Sequence, residues 1–408
     1  MLTRSLFVAL VSIVLPAAGL AQRRAPEPIS YEIALPAHPF GIVTSADGEW
    51  VFVALVYDTG AGGIAVVQRS GEKYVLGRVV PLPLGATGLA LTHDGRLLIA
   101  AAGTEVYFLD VSGVSGDGAG TVTTVGFLSD GTNAGSVWAS VTVDDRWLFV
   151  CDENTGQLTV IDLNLARSSG FSRSSIRGTI PVGSAPTATG FSPDGVWAYT
   201  TVEIVSNRLG WPRACAREGQ TTDPTLVNPQ GAVAVINVAL AATNPSQALT
   251  SPSQFVPAGC SPVRLALSPD ALTLYVTARN NNEVLALDTT KFAGDPMNAV
   301  IGRAPVGMAP VPVAWIDSGA LVVVGNSNRF LQPGIPQTLN VLDAAKLRAG
   351  AGAEALVRTI RAGAFPRTLT LSADGETLFL SNYDSDSLQV LDAARLGATE
   401  PGRAAPGK

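Results

Sequence analysis

At 408 residues, the chain is long enough for one very large domain or two ordinary ones, so its length does not fix the number of domains. Hydrophobic residues make up 47% and charged residues 15%, and the 42 glycines and 27 prolines are typical of many short strands joined by turns. The net charge of −6 argues against a nucleic-acid partner, which would require a basic surface.

The N-terminus has the pattern of a secretory signal over residues 1–21. Arg4 provides the positive charge, Leu6–Leu15 form an apolar core, and Gly19-Leu20-Ala21 form a cleavage site. An uncleaved membrane anchor is the alternative, but the apolar run is shorter than the ~20 residues that span a bilayer, and Pro16 interrupts it. We therefore expect a periplasmic or extracellular protein without stable membrane insertion, in a compartment that permits disulfides.

From about residue 36, one unit is repeated seven times. A turn residue marks each copy, at Asp47, Asp94, Asp144, Asp194, Asp270, Ser318 and Asp374. A Pro, Ala or Ser lies eight positions before each of them, although the copies are spaced 47 to 76 residues apart. Two strands flank the turn, a third follows, and a weaker fourth leads into the next copy. Four strands per repeat predict an all-β fold, a seven-bladed β-propeller with four antiparallel strands per blade.

Four short segments of the repeat carry recognisable motifs: Thr159–Asp162 (TVID), Pro181–Pro186 (PVGSAP), Tyr275–Ala278 (YVTA) and Phe379–Asn382 (FLSN). With these motifs, the repeat resembles that of the YVTN-family β-propeller proteins and, more loosely, that of the seven-bladed lactonase-like propellers. The resemblance covers nearly the whole chain after the signal and implies the propeller fold. It does not select a function, because propellers of this kind have binding, structural and enzymatic roles.

The last copy has only three strands, since the chain after Asp392 is too rich in Pro, Gly and Ala to supply a fourth. Ser30–Leu35 reads as a strand with no blade before it, so we expect it to complete blade seven and close the ring. The predicted organisation is a signal peptide (1–21), a linker (22–29), a propeller (30–395) and a flexible C-terminal tail (396–408). The blade cores are predicted to begin near residues 37, 84, 134, 184, 260, 308 and 364.

Alternation along the first strand of each blade indicates which side chains face the central channel. The residue two positions after the Pro should lie near the channel mouth, and this set is Gly41, Gly88, Trp138, Ala188, Arg264, Pro312 and Thr368. Arg264 beside Trp138 could hold a carboxylate or phosphate against a stacking wall. Alternatively, Arg264 caps backbone carbonyls and Trp138 plugs the channel. Arg367 lies near the same rim and should point toward the neighbouring blade.

Three blades have long loops between their second and third strands. Relative to blades three, five and seven, the loop is longer by 3 residues in blade one, 7 in blade six and 25 in blade four. These loops share one face with the loops that enter the blades, and we call it the decorated face. Long loops grouped on one face indicate a binding surface.

The blade-four insertion contains Trp211, a candidate ligand contact, and Cys215, while Cys260 lies in the entry loop of blade five on the same face. We expect a Cys215–Cys260 disulfide, with two free thiols as the alternative. Cys151 has no cysteine at the matching place in another blade and is expected to be a buried free thiol.

The sequence offers little catalytic chemistry. It has two histidines and no Cys-x-x-Cys, nucleophile elbow or phosphate-cradling Gly loop, so metal catalysis and Ser-His-Asp hydrolysis are poorly supported. His38, on the decorated face, could act as a general acid or base, but a solvated loop histidine is the simpler interpretation; His93 lies in a turn on the opposite face. The loops 152–154, 280–282 and 382–386 could bind Ca²⁺, but turn chemistry explains them equally, and we expect no cofactor or metal.

The sequence leaves two functions open. The first is an exported, non-catalytic, monomeric propeller that binds a protein or a cell-envelope polymer through its decorated face. The alternative is a lactonase- or lyase-like enzyme that acts on a small carboxylate-bearing substrate at the channel mouth, near Arg264, Arg367 and His38. The chain lacks the cluster of Glu, Arg and His that such an enzyme would be expected to use, which favours binding. The candidate ligand contacts are Trp138, Arg264, Arg367, His38 and Trp211.

Overall fold

Seven four-stranded antiparallel sheets form a ring, as the sequence predicts. The computed structural model describes residues 30–111, 122–219 and 225–397. The predicted signal peptide, the linker and all but the first two residues of the predicted tail lie outside this part of the chain. Within it, no helix is long and apolar enough to cross a membrane.

The strands follow the repeat in chain order. Strand β1 (Ser30–Ala34) precedes blade one, which comprises β2 (His38–Thr44), β3 (Trp50–Val56), β4 (Gly62–Ser70) and β5 (Lys73–Leu82). Blade two comprises β6 (Gly88–Leu91), β7 (Leu97–Ala102), β8 (Glu105–Asp110) and β9 (Thr123–Ser129). Blade three comprises β10 (Ser136–Val141), β11 (Trp147–Asp152), β12 (Gln157–Asp162) and β13 (Ile176–Pro181).

Blade four differs from the others because a hairpin interrupts it. Its sheet comprises β14 (Ser184–Phe191), β15 (Trp197–Ile204), β18 (Ala232–Asn237) and β19 (Phe255–Pro257), and the hairpin β16 (Arg213–Ala216) and β17 (Leu226–Pro229) lies between β15 and β18. Blade five comprises β20 (Pro262–Leu267), β21 (Thr273–Ala278), β22 (Glu283–Asp288) and β23 (Val300–Pro305). Blade six comprises β24 (Pro310–Ile316), β25 (Leu321–Asn326), β26 (Thr338–Asp343) and β27 (Leu356–Arg361). Blade seven contains β28 (Pro366–Leu371), β29 (Thr377–Asn382) and β30 (Ser387–Asp392).

The N-terminal strand closes the ring, which confirms the prediction. Strand β1 pairs antiparallel with β30, with Ser30 opposite Leu391 and Ala34 opposite Ser387, so it is the fourth strand of blade seven. Its Tyr31 hydroxyl oxygen also accepts a hydrogen bond of 2.7 Å from the backbone N–H of Tyr74 in blade one. The closing strand therefore contacts the blades on both sides of the seam.

Hydroxyl groups join successive blades near the axis. Thr201, Thr277 and Ser381 occupy the fifth position of the second strand in blades four, five and seven. Each donates to a first-strand carbonyl of the next blade, that of Val263 (3.3 Å), Val311 (2.8 Å) or Phe40 (2.6 Å) respectively. The matching residue in blade three is Cys151, a buried free thiol whose pKa burial raises to about 12.

Each Asp-Gly turn is held by its own side chains. In blade seven the Ser372 hydroxyl donates to the Asp374 carboxylate (2.5 Å) and accepts from the backbone N–H of Thr377 (2.9 Å). The Ser372 hydroxyl also lowers the pKa of Asp374. The same Ser/Thr-x-Asp arrangement recurs in every blade except blade six, where Asp317 and Ser318 both have a positive φ. The recurring aspartates are thus structural.

Short helices follow the third strands of four blades: α1 (Leu163–Ser168), α2 (Val238–Thr243), α3 (Ala344–Arg348) and α4 (Ala393–Leu396). The residue that ends each strand caps the helix, as when the Asp392 side chain accepts from the backbone N–H of Arg395 (3.2 Å). In α4, Leu396 is fully buried against blades six and seven. The ordered core therefore extends into the segment predicted as a flexible tail from residue 396.

Deleting residues 30–35 should lower the melting temperature on the order of 10 °C, because β30 loses its only outer neighbour and the ring opens. Thermal unfolding followed by circular dichroism measures this. Glu32→Ala, which keeps the strand and its pairing with β30, is the control and should unfold within a few degrees of the wild type. An unchanged melting curve for the deletion would contradict the closure.

Candidate functional site

A disulfide fixes the blade-four insertion on the decorated face. Cys215 in β16 and Cys260 in the entry loop of blade five are bonded, with Cα atoms 5.6 Å apart. The hairpin that carries Cys215 therefore lies over the entry to blade five. The bond closes a segment of 45 residues, which restricts the insertion in the unfolded chain as well as in the folded one.

A buried arginine of blade five also holds the same insertion in place. Arg279, which follows β21, donates to both carboxylate oxygens of Glu203 at 2.8 Å and also binds Glu218 of the insertion. Burial by itself lowers the pKa of Arg279, but the two carboxylates outweigh it and raise that pKa. The partners are 61 and 76 residues from Arg279 in sequence, and the repeat pattern predicts none of these three residues as part of a site. A charged residue directly after the second strand was the only signal of the contact.

The insertions of blades four and six meet on the decorated face. A Cβ added to Gly219 of the blade-four insertion would lie 2.9 Å from the ring of Phe330, so the two loops are in close contact. Four large apolar side chains are exposed on these loops: Leu226 (50%), Phe330 (41%), Leu331 (64%) and Ile335 (39%). We call this set the insertion ridge. An apolar group of this kind on two fixed loops is typical of a protein-binding surface.

Trp211 lies on the outer side of the same insertion. It lines a groove of about 570 Å³ between the insertion and blade five, together with Pro212, Pro257, Leu285 and Met297. The structure thus places Trp211 on the decorated face, but outside the central channel.

Arg264 and Trp138 lie at the decorated-face end of the channel. The Arg264 guanidinium stacks over the Trp138 ring at 4.5 Å, and its Nη1 donates to the carbonyls of Thr187 (2.7 Å) and Val263 (2.9 Å). Arg264 therefore caps backbone carbonyls, which is one of the two roles that the sequence left open for it. Burial lowers the pKa of Arg264 to about 10.

Arg367 lies in a group of aromatic rings at the seam of the ring. Its guanidinium is 4.0 Å from the centroid of Phe40 in blade one, 4.7 Å from that of Phe365 and 6.0 Å from that of Tyr383. Burial and then the positive charge of Arg264 lower the pKa of Arg367. The positive charges of Arg264 and Arg367 therefore repel each other near the channel mouth.

His38 is the first residue of β2, and its ring is not simply solvated. It stacks on Tyr383 at 4.7 Å, its Nδ1 is 2.7 Å from Asp386, and its Nε2 is 3.0 Å from Asp58. Burial lowers the pKa of His38, but Asp58, the Tyr383 carbonyl and Asp386 outweigh it and raise that pKa. The interpretation as a solvated loop histidine thus missed two carboxylates contributed by distant loops. His93 is 2.7 Å from Asp145 and its side chain is 57% exposed.

In the loop 280–282, two of the side chains considered for Ca²⁺ use their oxygens within the protein. The amide oxygens of Asn281 and Asn282 accept from the backbone N–H groups of Cys260 (2.6 Å) and Ala309 (2.8 Å). No cluster of three or more His, Cys, Asp or Glu side chains that could hold a metal ion occurs in residues 30–111, 122–219 and 225–397.

Asp152, in the first of these loops, forms an acid pair with Asp130. The Ser136 hydroxyl contacts both carboxyl groups, and the Thr159 hydroxyl donates to Asp152 at 2.6 Å. Burial, and then the negative charge of Asp130, raise the pKa of Asp152 to about 7. The pair therefore holds a proton at the junction of blades two and three.

Comparisons with known proteins support the fold. No family model matches the chain, and no curated protein matches it. Solved structures do resemble it: hydrazine synthase of Kuenenia stuttgartiensis has a TM-score of 0.64 at 16% identity, covering 89% of this chain and 97% of that one. The β-propeller domain of Myceliophteria thermophila Cps50 (Swd1) has a TM-score of 0.61 at 13% identity, covering 90% and 99%. A chain of a mitotic checkpoint complex has a TM-score of 0.61 at 14% identity, covering 96% and 99%. At these low identities, the TM-scores show a shared fold and nothing further.

Arg279→Met should destabilise the insertion locally by about 3–5 kcal/mol, because it leaves two carboxylates without their buried partner. Hydrogen–deuterium exchange of β16 and β17 measures the effect and should increase. Arg303→Met is the matched control, since Arg303 is exposed and lies 3.6 Å from Glu283, a pair worth about 0–1 kcal/mol. Equal exchange in the two variants would show that Arg279 does not hold the insertion.

Asp152→Asn should stabilise the protein more at pH 8 than at pH 5. The folded state binds the Asp152 proton more tightly than the unfolded chain, because the pKa rises from 3.8 to about 7. The resulting stabilisation is fully present only below pH 3.8 and is lost as the pH rises from there to about 7, so part of it remains at pH 5 and none at pH 8. Urea unfolding at both pH values tests this, and the same change in unfolding free energy at pH 5 and pH 8 would refute it.

Proposed function

We propose that this chain is an exported, non-catalytic β-propeller that binds a partner protein through its decorated face. The observation that carries the proposal is the insertion ridge, in which Leu226, Phe330, Leu331 and Ile335 expose apolar surface on two insertions that contact each other. The repeats build the ring, and these loops depart from the repeat. Loops placed on a rigid scaffold are the usual location of binding residues.

Three features hold the ridge in a fixed shape before any partner binds. The Cys215–Cys260 disulfide and the Arg279 ion pairs tie the blade-four insertion to blade five. In blade six, the Asn328 side chain donates to the carbonyls of Gln332 (3.0 Å) and Ile335 (3.2 Å). A preordered surface loses less conformational entropy on binding, so its apolar contacts contribute more to affinity.

The proposal of export rests on two observations. The first is the signal-like sequence of residues 1–21, and the second is the disulfide, which is stable in the periplasm or outside the cell. The repeat pattern supports placing the chain among the YVTN-type propellers. Similar propellers in a mitotic checkpoint complex and in Cps50 (Swd1) support a role in protein assembly.

The state of His38 favours binding over the lactonase- or lyase-like alternative. Both of its ring nitrogens contact carboxylates, Asp386 on one side and Asp58 on the other. A general base needs a free nitrogen within reach of a substrate proton. The group near Arg367 therefore fits a structural link across the seam better than an acid–base centre.

Leu331→Glu should abolish capture of the partner from the envelope fraction, because a charge replaces the most exposed apolar side chain of the ridge. Leu272→Glu is the control, since Leu272 is 54% exposed in a turn on the opposite face. The two variants and the wild type serve as baits, and captured proteins are compared by quantitative mass spectrometry.

A protein enriched by the wild type and Leu272→Glu but not by Leu331→Glu supports the proposal. The same proteins captured by all three baits would overturn it. Self-association through the ridge would also overturn it, and size-exclusion chromatography would show this as a dimer that Leu331→Glu converts to a monomer.

A further inference from the structure

The central channel contains a cavity of about 360 Å³ that is separate from the insertion ridge. It extends from Trp138, Arg264 and Thr368 at the decorated-face end to His93 in a turn of the opposite face. A volume of this size lies at the lower end of the range for small-molecule sites, about 300–1,000 Å³. The channel is therefore large enough for a small ligand.

The walls of this cavity are largely apolar. They are formed by first-strand side chains of all seven blades, including Ile42, Leu89, Val141, Phe191, Leu265 and Leu369. Some of them, such as Leu89 and Val141, also belong to the hydrophobic clusters between blades. The middle of the cavity thus favours a hydrocarbon or aromatic group over a polar one.

The decorated-face end of the cavity is polar and positively charged. Arg264 is only 7% exposed, and its Nε is buried with no hydrogen-bond partner in the part of the chain that the structure describes. Thr368, at the equivalent position in blade seven, is 5% exposed, and its hydroxyl is also buried without a partner in residues 30–111, 122–219 and 225–397. Unpaired buried polar atoms are uncommon in folded proteins, because each costs about 1–3 kcal/mol.

Arg264 also lacks a contacting counter-ion among the described residues. Glu153 and Glu203 interact with Arg264 electrostatically without contacting it, and Glu203 is bound by Arg279. Arg367 adds further positive charge nearby, and its Nε is likewise buried without a hydrogen-bond partner from any residue that the structure describes. A buried guanidinium without a carboxylate is unfavourable unless another anion compensates it.

We propose that the channel binds an amphipathic monocarboxylate, with its carboxylate at Arg264 and Thr368 and its apolar part along the channel toward His93. A carboxylate matches the planar guanidinium and accepts from the Thr368 hydroxyl, so it supplies the missing partners. The Trp138 ring, stacked on Arg264, closes one side of the site. This site does not involve the insertion ridge, so its function is independent of partner binding.

Isothermal titration calorimetry with octanoate, 1-octanol and acetate tests the proposal. Octanoate should bind, whereas 1-octanol lacks the charge and acetate lacks the apolar chain, and each should bind at least about tenfold more weakly. Arg264→Gln should weaken octanoate by about tenfold or more and leave 1-octanol unchanged. Arg303→Gln, on the outer rim, is the matched control and should bind octanoate like the wild type.

Because Arg264 also donates to two carbonyls, Arg264→Gln can fail to fold, and a second variant avoids this. Ala90→Phe fills the cavity from blade two and leaves Arg264 of blade five unchanged, and it should abolish octanoate binding in protein that circular dichroism shows to be folded. Leu331→Glu should bind octanoate normally, which separates this site from the ridge. Absence of octanoate binding to the folded wild type, or unchanged binding in Ala90→Phe, would overturn the proposal.

Discussion

The pairing of β1 with β30 is the constraint on which the rest of the structure depends. Every other blade draws its strands from one continuous stretch, but blade seven joins residues 30–34 to residues 387–391. Without this pairing, blade seven would have only three strands, and no strand would join the first blade to the last. The channel cavity is lined from all seven blades, so its shape exists only in the closed ring.

The same seam organises the residues at the channel mouth. His38 and Phe40 belong to blade one, whereas Arg367, Tyr383 and Asp386 belong to blade seven, and the contacts among them cross the junction that β1 closes. The Ser381 hydroxyl adds a bond of 2.6 Å to the Phe40 carbonyl. The aromatic stacking and ion pairs there therefore contribute to closure as well as to the chemistry of the mouth.

The fold could be predicted from the sequence because the repeat is local. A fixed spacing of eight residues from Pro to Asp defines a strand and its turn, and Ser372 with Asp374 shows how the turn is held by neighbours in sequence. The closing strand could be predicted because Ser30–Leu35 was the one strand without a blade. Period-2 alternation likewise placed Trp138 and Arg264 at the channel, although a bulge shifts the register between Pro262 and Arg264.

The electrostatic contacts could not be predicted in the same way, because their partners come from loops outside the repeat. Arg279 meets Glu218 only because the blade-four insertion folds back over blade five, and it meets Glu203 of β15 across the junction between blades four and five. The acid pair of Asp130 and Asp152 likewise joins two blades. Sequence spacing carries no information about such contacts, since the loops that bring them together have no period.

The buried arginines near the channel differ in which groups compensate their positive charge. This difference distinguishes an arginine with a structural role from one with a binding role. Arg279 has two carboxylates and is fully compensated, so its role is to hold the insertion in place. Among the described residues, Arg264 contacts backbone carbonyls and an aromatic ring but no carboxylate, although it is as deeply buried. Desolvating a cation without an anion is costly, and a fold that retains one next to a cavity favours the form in which an anion enters. A ligand in the channel would contact several blades at once and would thus also stabilise the closed ring.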